Sequence, residues 1–170
     1  MPALPTLEAL AWIGLGGNLG DVRATLAAAR SALARRSTRP VLASGLYGSA
    51  PWGGQANPGP DYVNQVVGLW TLDSPETLLA ALLAIETSLG RVRAERWGPR
   101  TLDLDLLAMG DETRATPSLT LPHPRLSQRR FVLLPWATLA PDFRVPGFDS
   151  TLAGLLAACP DPGPVWPLSD

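Results

Sequence analysis

The chain has 170 residues, of which 46% are hydrophobic and 17% charged, and this composition predicts a globular protein rather than a disordered one. Its net charge of −1 argues against general binding to nucleic acid or a membrane surface. No apolar run approaches the roughly 20 residues that span a bilayer. The single cysteine, Cys159, excludes an internal disulfide and a cysteine-based metal site. Together with an N-terminus that lacks the basic start of a signal peptide, it predicts a cytoplasmic protein.

Strands and helices alternate along the chain, and no repeat or linker divides it. The order predicts an α+β sandwich in a single domain of residues 1 to 170, with a Pro/Gly-rich tail from 141 to 170. The predicted strands lie at 10 to 17, 40 to 48, 63 to 72 and 101 to 108, with a loop at 51 to 60. The predicted helices lie at 20 to 36, from Asp73 or Ser74 as the cap to Gly90, and at 128 to 140, and a short helical piece lies at 150 to 158.

All fourteen basic residues are arginine. A Walker-type phosphate loop and Schiff-base chemistry both need lysine, so both are excluded. Any side chain that grips phosphate here must be a guanidinium, which can bind phosphate oxygens bidentately.

The glycine-rich segment from Gly14 to Gly20 follows the first predicted strand. A dinucleotide-binding loop would need its third glycine where Leu19 stands, and an acidic residue about twenty residues further on, which is missing. We interpret the segment as a tight strand-to-helix turn, or as backbone that lets a substrate approach closely.

Asp103 and Asp105 stand two apart in a run of leucines. On a strand, side chains two apart share a face, so both carboxylates point one way while Leu102, Leu104 and Leu106 point the other. An exposed strand face with Asp–Arg pairs would accommodate them, but strand interiors disfavour Asp. A divalent metal is the alternative partner, because Mg²⁺ is usually held by one or two carboxylates and substrate phosphates.

Four further residues have chemistry that the sequence leaves open. Trp97 could anchor the core or stack on a flat ring. Tyr62 and Asn64 share a strand face, and the amide suits either a heterocycle edge or the backbone. His123, the only histidine, lies between prolines just before two arginines, which favours phosphate contact or proton transfer as much as a structural role.

Taken together, these segments resemble the 6-hydroxymethyl-7,8-dihydropterin pyrophosphokinase family of folate biosynthesis. The similarity runs from about residue 11 to about residue 148. The segments that carry it are Ile13 to Asp21, Pro51 with Asp61 to Asn64, Glu86 to Arg91, Arg96 to Asp105, and Pro122 and His123 followed by Arg129 and Phe131.

The resemblance implies a ferredoxin-like, three-layer αβα sandwich with a mixed or antiparallel sheet and helices on both sides. It implies a monomer that transfers pyrophosphate from ATP to the pterin hydroxymethyl group, with two Mg²⁺ ions. The residues it implies are Asp103 and Asp105 for metal, Arg91 and Arg100 for catalytic phosphate contacts, Glu86, Arg93, Arg96, Thr120, His123 and Arg129 for ATP, and Ser49, Ala50, Trp52, Tyr62, Asn64, Trp97 and Phe131 for the pterin.

The chain departs from the family pattern at several positions. Many members carry a lysine between Arg93 and Trp97, and here one of the loop arginines is expected to take its place. The glycine that usually precedes the family's Phe is Arg130. Two other classes stay open: a metal-dependent phosphohydrolase, with Glu86, Glu95 or His123 as its base, and a non-catalytic ferredoxin-like binding module.

Overall fold

The computed structural model describes residues 7–51, 59–90 and 101–169. Six predicted site residues, Trp52, Arg91, Arg93, Arg96, Trp97 and Arg100, lie outside these ranges. The helices are α1 (Val22–Ala34), α2 (Pro75–Ser88), α3 (Arg130–Leu139) and α4 (Leu152–Ala157), and the strands are β1 (Ala9–Gly17), β2 (Leu42–Ala43), β3 (Tyr47–Ser49), β4 (Tyr62–Thr71), β5 (Asp103–Met109), β6 (Arg114–Ala115), β7 (Thr120–Leu121) and β8 (Val165–Pro167).

One antiparallel sheet forms the middle of the fold. Its strands lie in the order β5, β1, β4, β3, β8, and β2 also pairs with β4. The longest ladder joins β1 to β4, from the pair Ala9 and Thr71 to the pair Gly17 and Val63. β6 and β7 form a separate hairpin.

Helices α1 and α2 cover one face of the sheet. The apolar stripe predicted for α1 is buried at all four positions, Val22, Leu26, Ala29 and Leu33. They pack with residues of β1, β4, α2 and β5 in one core cluster. Ser74 caps α2, since its hydroxyl oxygen accepts a hydrogen bond from the Thr77 N–H at 3.1 Å. The predicted beginnings of both helices are therefore close to the observed ones.

Helices α3 and α4 cover the opposite face, over a second core cluster. Trp12 of β1 packs there against Trp136 of α3, with ring centroids 5.9 Å apart. Gly68 of β4 makes room for the indole, because a Cβ at this position would lie 2.8 Å from the Trp12 ring. Helices on both faces of one sheet confirm the predicted three-layer sandwich.

Two features differ from the prediction. The strand expected at 40 to 48 is interrupted, because the Ser44 hydroxyl oxygen takes the place of a backbone carbonyl and accepts from the Val66 N–H at 3.0 Å. The tail was expected to hold only a short helical piece, but it also supplies β8, which pairs with β3. Three residues among prolines and glycines have no strand pattern of their own. Within the described ranges, no helix is long and apolar enough to cross a membrane.

Candidate active site

Two cross-strand rows on the α3 face of the sheet form the floor of a pocket. In the first row, Gly16 of β1 pairs with Asp103 of β5 on one side and with Asn64 of β4 on the other. In the second row, Gly14 pairs with Asp105 and with Val66. Because neighbouring strands lie about 4.8 Å apart, the backbone of each aspartate lies about 10 Å from that of its counterpart on β4, with only glycine between them.

Glycine keeps this floor open. A Cβ at Gly16 would lie 3.3 Å from the side-chain oxygen of Asn64. At Gly14 the same atom would lie 3.6 Å from the side chain of Leu107, an ordinary contact. The absence of a side chain at Gly16 therefore leaves space next to Asn64 on the pocket floor.

The acidic strand has the predicted alternation. Asp103 and Asp105 are partly exposed and line the pocket, while Leu104 and Leu106 are buried in the core on the α1 and α2 side. The register between β1 and β5 shifts between Trp12 and Ile13, which adds one residue to β5 at Leu107. The carboxylates lie before this irregularity, on the regular part of the strand.

Asn64 is held by two hydrogen bonds from its amide N–H₂ group. Its Nδ2 donates to Ser49 Oγ at 2.8 Å and to the Tyr47 carbonyl oxygen at 3.3 Å. The amide oxygen is thereby directed toward Gly16 and the pocket. Since the residue is buried, this orientation does not depend on solvent.

The N-terminus of α3 closes the pocket from above. The Nη1 atom of Arg129 lies 3.6 Å from the carboxylate Oδ2 of Asp105. Its guanidinium carbon is 5.7 Å from the centroid of the Phe131 ring, within the range of a cation–π contact. The described residues that line the pocket are Gly14, Leu15, Gly16, Ser49, Ala50, Tyr62, Asn64, Gln65, Val66, Asp103, Asp105, Arg129, Phe131 and Val132.

His123 stands beside these charges. Its backbone N–H donates to the Leu107 carbonyl at 2.9 Å, and its Nδ1 accepts from the Arg125 N–H at 3.1 Å. Burial, together with the Arg129 and Arg125 guanidinium groups, lowers the pKa of His123 to about 4, although the Asp103 carboxylate acts in the opposite direction. The imidazole is therefore neutral at physiological pH, with its proton on Nε2 and available to donate.

Three predicted residues, His123, Glu86 and Thr120, are not among the described residues that line this pocket. Glu86 is buried on α2, and Thr120 is exposed on β7. Conversely, Gln65 and Val132 line it without having been predicted, because only the register of β4 and the seating of α3 bring them there.

The donor set suits magnesium. Among the described residues, no group of three or more His, Cys, Asp or Glu is arranged to hold a metal ion. Two carboxylates on one face are enough for Mg²⁺, which completes its octahedron with water and substrate phosphate oxygens. The Asp105 side chain is 38% exposed, so these oxygens can reach it.

Comparison with known proteins decides the family. Residues 12–141 match the family described as 7,8-dihydro-6-hydroxymethylpterin-pyrophosphokinase (HPPK). The chain belongs to this family. It is 44% identical over 158 residues to the 2-amino-4-hydroxy-6-hydroxymethyldihydropteridine pyrophosphokinase of Synechocystis sp., which covers 92% of this chain and 79% of that relative. It is 47% identical over 153 residues to the Pseudomonas aeruginosa enzyme of the same name, covering 89% of this chain and 93% of that relative.

Solved structures support the HPPK fold. A crystal structure of an HPPK-DHPS protein from Plasmodium falciparum aligns with 92% of this chain at a TM-score of 0.73 and 14% identity. This chain spans 46% of the length of that one. At such low identity the likeness shows the fold alone, and the family assignment rests on the sequence relatives.

Proposed function

We propose that this HPPK family member transfers pyrophosphate from ATP to the hydroxymethyl group of 6-hydroxymethyl-7,8-dihydropterin and releases AMP, in folate biosynthesis. The family match and the relatives that carry this enzyme name support the reaction. The observation that carries the assignment to this pocket is the pair of cross-strand rows, in which glycine separates the two carboxylates from Asn64 and Val66.

The β4 side of the pocket suits the pterin. A pterin is a flat heterocycle with adjacent donors and acceptors on its edge, and Asn64 directs its amide oxygen into the pocket. Tyr62 and Phe131, both lining the pocket, offer rings against which a heterocycle can stack. Ser49 and Ala50 line the same side of the pocket. We propose Trp52 and Trp97, which fall outside the described residues, as further pterin contacts.

The β5 side suits the triphosphate. Asp103 and Asp105 would hold Mg²⁺, and we propose two ions. Bound there, Mg²⁺ would neutralise phosphate charge and align the reacting groups. Arg129 lies at the same edge, 3.6 Å from Asp105. Its guanidinium would contact the nucleotide phosphates, together with Arg91, Arg93, Arg96 and Arg100 from outside the described ranges.

The reaction needs little covalent help from the protein. The hydroxymethyl oxygen bonds to the β-phosphorus, the bond from that phosphorus to the α–β bridging oxygen breaks, and AMP leaves as the hydroxyl proton is lost to solvent. Positioning and charge stabilisation supply the rate. The neutral His123 would donate its Nε2–H to a phosphate oxygen without adding a positive charge. We also propose Glu86 and Thr120 as nucleotide-side residues.

The broader assignments are proposals too. We propose that residues 1 to 170 act as one domain, since β8 of the tail belongs to the central sheet. We also propose a monomer in the cytoplasm without nucleic-acid or membrane partners, supported by the net charge of −1 and the single cysteine.

Product analysis tests the function. With Mg²⁺ and both substrates, AMP should form in step with loss of the pterin, and omission of either substrate should stop it. A phosphohydrolase would instead release phosphate or AMP from ATP without pterin. A binding module would leave the ATP intact.

A further inference from the structure

The tail of the chain joins two walls of the pocket. Residues 159 to 169 run from the start of α3 to the outer edge of β3, beyond residue 141, where the match to the family ends. A groove of about 640 Å³ separates this segment from the pocket, and Ser49, Ala50 and Phe131 line both.

On the helix side, Asp161 supplies the cap that α3 lacks locally. The preceding residue, Arg129, makes no side-chain cap hydrogen bond. One carboxylate oxygen of Asp161 accepts from the Arg130 backbone N–H at 3.2 Å, and the other accepts from the Gly163 N–H at 2.9 Å. A carboxylate at this position satisfies a first-turn N–H and complements the helix dipole.

The Arg130 side chain fastens the same junction from the other direction. Its Nε donates to the Asp161 carbonyl oxygen at 3.2 Å, and its Nη2 donates to the Cys159 carbonyl oxygen at 3.4 Å. Helix and tail are therefore tied by three hydrogen bonds at one point, next to Phe131.

On the sheet side, β8 pairs with β3. Gly48 lies opposite Trp166 and Ser49 lies opposite Val165, and the Leu168 N–H donates to the Leu46 carbonyl at 2.9 Å. Only glycine fits beneath the indole, because a Cβ at Gly48 would lie 2.4 Å from the Trp166 ring. The tail thus holds β3, whose Ser49 hydroxyl accepts from Asn64 at 2.8 Å.

We propose that Asp161 is a positioning residue for the pterin. It caps α3, and α3 in turn holds Phe131 in the position where this ring contacts the pterin, so Asp161 acts without touching the substrate. This inference rests on the proposed function and deepens it. Loss of the cap loosens the first turn of α3. A smaller fraction of molecules then has Phe131 in the position that binds the pterin. The apparent affinity for the pterin falls by that fraction.

The test is steady-state kinetics on full-length variants. Asp161→Ala should raise the KM for the pterin about five- to tenfold, more than the KM for ATP, with kcat within about twofold. Asp161→Asn should raise the pterin KM less than Asp161→Ala does, because its single amide oxygen can still accept from the Arg130 N–H, although the Gly163 N–H then loses its acceptor. Arg130→Ala, which keeps the backbone bond, should give a smaller rise in the same direction.

Hydrogen exchange gives a readout that does not depend on turnover. The first-turn amides of α3 should exchange faster in Asp161→Ala than in wild type. Arg36→Ala is the matched control, since it removes an exposed ion pair to Asp73 of 2.7 Å and should leave the pterin KM unchanged. A purely structural role for Asp161 would lower the thermal midpoint and kcat while leaving the pterin KM at its wild-type value, and this would overturn the inference.

The two proposals can fail separately. If the wild-type protein forms no AMP in the presence of the pterin, the proposed function fails. If the wild type is active but Asp161→Ala and Arg130→Ala keep its pterin KM, or α3 exchanges at the wild-type rate in Asp161→Ala, the role of the tail fails alone.

Discussion

Acidification from pH 6.5 to pH 4 is expected to destabilise the folded protein through His123. Burial and two neighbouring arginines lower the pKa of His123 from 6.5 to about 4. Between pH 6.5 and pH 4 the His123 imidazole is protonated in the unfolded chain but stays largely neutral in the folded chain. Protonation therefore favours the unfolded state, and stability is lost as the pH falls.

The magnitude follows from the two pKa values. The shift from 6.5 to about 4 corresponds to about 2 kcal/mol of unfolding free energy at pH 5 and about 3 kcal/mol at pH 4. Well above pH 6.5 the imidazole is neutral in both the folded and the unfolded state, so His123 no longer makes the unfolding free energy depend on pH. The Asp103 carboxylate acts against the shift, and its effect is already included in the pKa of about 4.

The assay is urea denaturation of wild type and His123→Asn from pH 4 to pH 7.5. Carboxylates that titrate in the same range affect both proteins, so the difference between their unfolding free energies isolates the imidazole. The wild type should lose stability relative to the variant as the pH falls below 6.5. Parallel curves across the whole range would refute the buried, neutral state of His123.

Three further outcomes follow from the pocket and the core. Asp103→Asn and Asp105→Asn should each lower kcat/KM at least about 100-fold in AMP release while changing the unfolding free energy by less than about 1 kcal/mol; near-wild-type turnover at saturating Mg²⁺ would contradict the metal assignment. Gly16→Ala should raise the pterin KM about tenfold, because its Cβ would stand 3.3 Å from the amide oxygen facing it; an unchanged KM would show that the floor is not part of the pterin site. Gly68→Ala should cost about 1–3 kcal/mol in urea denaturation, since its Cβ would lie 2.8 Å from the Trp12 ring; an unchanged midpoint would mean that the indole moves aside freely.

The acidic strand could be predicted from the sequence because its information is local. Alternation of period two in one short run is enough to set Asp103 and Asp105 on one face and Leu104 and Leu106 on the other, where the structure has them. The same holds for the buried stripe of α1. The sheet carries apolar residues on both of its faces, and helices must cover each face to bury them.

The row that defines the floor could not be predicted in this way. Gly16, Asn64 and Asp103 come from three strands far apart in sequence, and their alignment depends on register. Register follows from the whole set of cross-strand contacts and from a one-residue shift between Trp12 and Ile13. The resemblance to the family names Asn64 and Asp103 as site candidates. Only the structure shows that Gly16 lies between them.

The environment of His123 and the capping by Asp161 are also non-local. The sequence shows prolines and arginines around His123, but its low pKa comes first from burial and then from Arg129 and Arg125. Asp161 reads in sequence as one acid in a proline-rich tail. Its hydrogen bond to Arg130 spans 31 residues, a distance over which no helix-capping pattern operates.

The measurement that tests the proposed pyrophosphate transfer most directly is phosphorus NMR of the products formed from ATP, Mg²⁺ and the pterin. Both the β- and the γ-phosphorus of ATP should appear on the pterin hydroxymethyl oxygen as one diphosphate, in equal amount to AMP. In Asp103→Asn and Asp105→Asn the rate at which this signal forms should fall at least about 100-fold. Release of orthophosphate or ADP, or a pterin that carries a single phosphate, would contradict the proposed transfer.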